Sequence, residues 1–246
     1  MNISKTVIVT GASSGIGFAI SEAYLARGYN VVGNARSLKR LQDAAKKLGN
    51  PSNFLLVAGD IAKPETAANL FEKAIEHFGQ VDILINNAGI FISKLVEHYT
   101  EDDLNSIIDT NLKGFFYPSQ AAAKHMAKNG SGHIVTITAS IAMQPNTQVP
   151  ALLPVMVKGG LNSAVKSLAL ELASSNVMVN GIAPGIIATP MHSQDEKVQA
   201  VLKNMAPIGR LGTSKDIVDA VLYLTDSNFV TGTILVVDGG STAGHW

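Results

Sequence analysis

The chain has 246 residues, of which 46% are apolar and 15% charged, with 22 glycines and no cysteine; this excludes a disordered, fibrous or disulfide-stapled protein and any thiolate metal site. Nineteen basic side chains balance 19 acidic ones with no long run of either sign, which argues against nucleic acid or an anionic membrane surface as a partner. A small molecule and further copies of the chain are left as partners, and no metal is expected.

The start, "MNISKTVIVTG", runs directly into an apolar segment without the pattern of a signal peptide, and no apolar run reaches the ~20 residues of a membrane span. A cytoplasmic location is the expectation. In chain order, Val- and Ile-rich runs fall at 6–10, 30–35, 53–58, 81–86, 132–138, 177–182 and 233–238. Segments of helical period lie between them, near 15–28, 37–48, 63–78, 101–128, 155–173 and 214–225. Strands that are continuously apolar are covered on both faces, and their alternation with helices implies parallel pairing with right-handed crossovers. The expected fold is α/β: a Rossmann-type, doubly wound sheet of seven parallel strands with helices on both faces, built as a single domain over 1–246. One long irregular stretch, from Pro184 to about Gly212, reads as a substrate lid near 186–212.

Between the first strand and the first helix stands "TGASSGIG", with Gly11, Gly15 and Gly17 around Ser13, Ser14 and Ile16. Glycines there permit a sharp turn and close approach of a pyrophosphate, while the free N–H groups of the helix N-terminus attract its charge. Further along come Asp60 after the third strand, "NNAG" (86–89) after the fourth, Asn111 in "TNLKGFF", Ser140 after the fifth, Lys158, "NGIAPG" (180–185) with Thr189, and a final "VDGG". In order and spacing this set resembles the landmarks of the short-chain dehydrogenase/reductase family over almost the full length. The resemblance implies that Asp60 and Ile61 flank an adenine, that Asn87, Ala88 and Gly89 line the cofactor, and that Pro184, Gly185, Ile187 and Thr189 meet the nicotinamide end. It also implies a homotetramer, and two helical segments (101–128 and 155–173) carry apolar residues on more than one face, as a subunit contact requires.

At the end of the second strand, Ala35 stands where NAD-preferring relatives carry an acid, and Arg36 follows it. A carboxylate would repel a 2′-phosphate, whereas a guanidinium can pair with one. NADP(H) is the expected cofactor.

The family's catalytic set is Asn-Ser-Tyr-Lys: the serine polarises the substrate oxygen, the tyrosine exchanges the proton, the lysine lowers the tyrosine pKa and holds the ribose, and the asparagine anchors a water. Asn111, Ser140 and Lys158 match it, but the tyrosine position is Pro154, and no tyrosine lies elsewhere in the segment. The Ser140-to-Pro154 interval is one residue longer than the family's. A positioned acid contributes ~10²–10⁴-fold to such a reaction. Four readings follow: Lys158 or a water it orders gives the proton; a lid group such as His192 gives it; the substrate needs none, as an iminium or quinone would; or the chain binds nucleotide without turnover. A reductase of a small carbonyl, imine or quinone is preferred to an alcohol dehydrogenase, with a nucleotide-binding protein lacking redox turnover as the alternative.

Overall fold

The computed structural model describes residues 4–189 and 202–244. Among these, seven strands are found: β1 Thr6–Thr10, β2 Asn30–Ala35, β3 Phe54–Ala58, β4 Ile83–Asn86, β5 Gly132–Ile137, β6 Val177–Pro184 and β7 Ile234–Val237. All pair in parallel, in the order β3-β2-β1-β4-β5-β6-β7. The helices are α1 Gly15–Ala26, α2 Leu38–Lys47, α3 Pro64–Phe78, α4 Glu101–Ile107, α5 Gly114–Asn129, α6 Leu152–Leu172 and α7 Ser214–Asp226.

Successive strand residues serve opposite faces, as the two-residue period of a strand requires. Val7, Val9, Val31, Ile83 and Ile85 join one apolar cluster with Tyr24 of α1, Leu41 of α2 and Val221 of α7. Ile8, Val32 and Leu84 join the other with Leu70 of α3, Met126 of α5 and Val165 of α6. The sheet is therefore doubly wound, and its strands read as largely apolar runs rather than alternating ones because both faces are covered. The chain runs outward through β1, β2 and β3 and then returns to place β4 on the other side of β1. That reversal opens a crevice at the carboxyl ends of β1 and β4, the usual position for a ligand in an open α/β sheet.

Two expected helices differ in detail. The segment 101–128 is not continuous: α4 passes into a π-helical turn, Ile108–Lys113, before α5 begins. The wide turn changes the angular position of the residues that follow, a local shift the apolar period cannot register. The helix expected at 155 begins at Leu152. The residue before a proline is biased away from helical backbone, and this sets the apparent start too late. Pro154 is thus the third helical residue, where no intrahelical N–H bond is due. The first such bond is Val155 N–H to the Ala151 carbonyl, at 2.9 Å, so the proline ring costs the helix nothing. None of the described helices is long and apolar enough to cross a membrane, and no metal-ligating cluster occurs among the described residues.

Candidate active site

Thr10, the last residue of β1, is fully buried. Its hydroxyl donates to the Ile85 carbonyl (3.3 Å) and accepts from the N–H groups of Asn87 and Ala88, both at 3.0 Å. Asn87 returns the contact, its Nδ2 donating to the Thr10 carbonyl at 2.9 Å. The turn after β1 and the turn after β4 are locked together by this exchange. Gly11 sits at φ +69°, and a Cβ on it would lie 2.9 Å from Asn87 Nδ2; only glycine fits both the backbone and the space. A Cβ on Gly17 would collide with the Gly11 carbonyl. Gly17 therefore supports the loop from behind rather than facing the crevice. Ser14 is the N-cap residue of α1 but makes no side-chain capping bond, and the first turn carries no acidic residue. The helix N-terminus is left to attract an anion from the crevice.

The crevice is a cavity of about 1,040 Å³. Of the site residues expected from the sequence, it brings together Gly11, Ser13, Ser14, Gly15, Ile16, Arg36, Asp60, Ile61, Asn87, Ala88, Gly89, Ser140, Lys158, Pro184, Gly185, Ile187 and Thr189. Gly17 and Asn111 are the two that do not line it. At one end lie Arg36 and Asp60; Asp60 also accepts the Ala62 N–H at 3.1 Å, so it shapes its own turn while facing the cavity. Ser37 and Arg40 line that end too, and the sequence reading missed them. A signal was available: Ser37 is an N-cap residue type, and it caps α2 by accepting the Arg40 N–H at 3.3 Å, which sets Arg40 in the first turn of the helix that follows Arg36.

At the other end, Asn111 is buried at the π-helical turn. Its Oδ1 accepts the Ile90 N–H (2.8 Å) and its Nδ2 donates to the Ile90 carbonyl (2.9 Å), so it fixes the loop that follows Gly89. Lys158 Nζ donates to the Ile137 carbonyl at 2.7 Å. Burial pushes its pKa down from 10.5 to about 8, because an ammonium loses hydration that nothing charged replaces. Ser140 is buried in a short 3₁₀ turn after β5, and α6 packs on that turn. Phe91, Ile141 and Val149 give this end an apolar wall, with Gln144 and Asn146 beside them. Pro154 is buried and absent from the lining: one turn before Lys158, the helix offers no polar group to the cavity.

The two legs of the expected lid are tied to each other. Ala188 N–H donates to the Gly212 carbonyl (2.8 Å) and Gly212 N–H to the Ile186 carbonyl (2.9 Å). Asp238 of "VDGG" accepts from the N–H groups of Gly240 and Thr242, both at 2.9 Å, and Ser241 of that turn donates to the Met205 carbonyl. Residues 190–201, which include His192, lie outside the described residues, as do His245 and Trp246.

The comparisons with known proteins agree with this architecture. A family model described as enoyl-(acyl carrier protein) reductase matches residues 11–242. The 3-oxoacyl-[acyl-carrier-protein] reductase of Escherichia coli is 37% identical over 239 residues, covering 96% of each chain. Among solved structures, ElxO with NADP bound superposes with a TM-score of 0.92 at 28% identity, covering 98% of this chain and 100% of that one. The 3-ketoacyl-(acyl-carrier-protein) reductase of Brucella melitensis complexed with NADH gives a TM-score of 0.89 at 28% identity, covering 97% and 98%. The chain belongs to the short-chain dehydrogenase/reductase family, and its class is that of an oxidoreductase.

Thr10→Val keeps the shape of the side chain and removes its acceptor, leaving two N–H groups unsatisfied at a cost of about 2 kcal/mol or more. Urea unfolding should show that loss, and Thr10→Ser should recover most of it; an unchanged midpoint for Thr10→Val would contradict the role given to this hydroxyl.

Proposed function

We propose that this chain is an NADP(H)-dependent reductase of a small carbonyl, imine or quinone. The observation that carries the reading is the single cavity joining Arg36 and Arg40 at one end to Ser140 and Lys158 at the other. The cradle suits a dinucleotide: bare glycine backbone at Gly11 and Gly15, an uncapped α1 N-terminus for the pyrophosphate, and a guanidinium where an acid would repel a 2′-phosphate. Asp60 and Ile61 would flank the adenine, Asn87, Ala88 and Gly89 the adjoining ribose side, and Pro184, Gly185, Ile187 and Thr189 the nicotinamide. Neighbours of this fold have been solved with NADP or with NADH, and Ala35 with Arg36 supports the former here. When bound, the reduced nicotinamide supplies hydride. Ser140 would hold the substrate heteroatom and Lys158 the ribose hydroxyls, while Asn111 fixes the loop that follows Gly89.

Pro154 sets the direction of the chemistry. Alcohol oxidation needs a base to take the hydroxyl proton, the task of a tyrosinate in this family, whereas reduction of an acceptor that spreads its charge asks less of a placed acid. The second reading, a nucleotide-binding protein without turnover, also rests on Pro154. The site's other members weigh against it, since a purely binding role has no use for a buried Ser140 lining the same cavity as Lys158.

The exposed apolar side chains Leu112 and Phe116 by α5, and Leu152, Met156 and Leu170 on α6, support burial against a second copy and a homotetramer as the assembly. Light scattering at micromolar concentration should give a mass near four 25.8 kDa chains; a single-chain mass would refute it.

By calorimetry, NADPH should bind more tightly than NADH, and Arg36→Ala should weaken NADPH alone, by the ~1.5–3 kcal/mol of a charged hydrogen bond. In activity assays, NADPH-dependent reduction should appear within a panel of ketones, imines and quinones, and NADP⁺-dependent oxidation of simple secondary alcohols should be slight or absent. Equal affinities would sink the cofactor assignment, brisk alcohol oxidation the account of Pro154, and tight binding with no reduction at all would favour the second reading.

A further inference from the structure

The charged groups lining the cavity among the described residues are unevenly spread. Arg36, Arg40 and Asp60 stand at the α2 end, and Lys158 is the sole ionisable side chain at the Ser140 end. The polar groups that share its wall, Ser140, Gln144 and Asn146, are neutral. Among the described residues, Lys158 is thus the candidate acid at the catalytic end.

The geometry leaves its ammonium available. One of three protons is given to the Ile137 carbonyl at 2.7 Å, which leaves two to donate elsewhere. Gly89 guards the loop side of the amine. A Cβ there would stand 3.3 Å from Lys158 Nζ and 3.1 Å from Asn111 Oδ1, so any side chain at 89 would crowd the path between amine and cavity. Among the described residues the groups placed about Nζ are neutral: the Ile137 carbonyl from β5, and Gly89 from the loop after β4 with Asn111 of the π-helical turn behind it, while Ser140 lines the same cavity from the turn after β5. Pro154, one turn earlier on α6, brings only carbon.

We propose that Lys158 is itself the general acid of the reduction, passing a proton from Nζ to the substrate heteroatom directly or through the Ser140 hydroxyl. The proposal rests on the reductase reading above. Hydride from the reduced dinucleotide adds to the substrate carbon, the π electrons of the C=O or C=N bond move to the heteroatom, and that atom takes the proton. Lys158 is left as a neutral amine and is reprotonated from water. An ordinary lysine ammonium is too weak an acid to serve well near neutrality, whereas one depressed to about 8 is close to the working range. The sign for catalysis follows: the donating form predominates below about pH 8 and is lost above it.

The test combines one measurement on the protein alone with one on turnover. In ¹³C NMR of the protein carrying ¹³Cε-lysine, the resonance missing from both Lys158→Arg and Lys158→Met should titrate near pH 8, well apart from the surface lysines. In turnover, kcat/KM for NADPH-dependent reduction should be level below that pH and fall about tenfold per pH unit above it. Lys158→Ala should lose at least ~100-fold in rate and regain part of it on addition of ammonium or methylamine, at NADPH concentrations shown by calorimetry to saturate the variant. A flat pH–rate profile through 8 in an active wild type, an ordinary lysine titration, or a Lys158→Ala defect cured by saturating NADPH alone would each overturn the proposal. Wild type that reduces no acceptor fails the reductase reading itself, and the proposal falls with it.

Discussion

The joint between β1 and β4 is the constraint on which the site depends. These strands are neighbours in the sheet but 72 residues, two further strands among them, lie between Thr10 and Ile83 in sequence, and the sheet's winding reverses across their seam. Backbone pairing ends just where the crevice begins, so a side chain must finish the work. Thr10 does so with one hydroxyl that donates once and accepts twice. Because the glycine loop springs from one side of this joint and Asn87–Gly89 from the other, the width of the crevice is set before any ligand enters. Gly11 and Gly17 are then required by space as much as by turn geometry, since Asn87 and the Gly11 carbonyl occupy the positions their side chains would take.

Much of this was legible in the sequence. A strand buried on both faces is apolar on both rather than alternating, so the strands appeared as Val- and Ile-rich runs, and the capping threonines and serines marked several helix starts. The glycine loop, Asn87, Gly89, Ser140 and Lys158 carry residue types that their positions demand, and these converge on one cavity. What escaped notice lies where local pattern carries no information. The π-helical turn that points Asn111 inward adds no unusual residue to the chain. Asn111, expected as the catalytic asparagine, does not line the cavity and bonds both backbone groups of Ile90. Phe91 and Val149 reach the cavity from irregular loops, where no periodicity states a direction, and Arg40 was not singled out.

Pro154 separates fold from chemistry in this chain. At the third position of α6 a proline leaves helix, packing and the Lys158 register intact, so the scaffold tolerates the loss of the phenol without a structural penalty. On the proposed reading, with Lys158 the ionisable side chain described at the Ser140 end of the cavity, acceptors that need little assistance are favoured, as is the direction in which a proton is given rather than taken.

The central claim is that hydride transfer persists without the phenol, and it is tested most directly by following the hydride. NADPH deuterated at the nicotinamide C4 position would be supplied with a quinone, imine or ketone acceptor, and the product examined by mass spectrometry. The account predicts one deuterium from the nucleotide in the product of an imine or ketone, on the hydride-accepting carbon, with NADP⁺ formed in equal amount. NADP⁺ formed without deuterium reaching that carbon, or tightly bound NADPH that stays reduced with every acceptor, would contradict it.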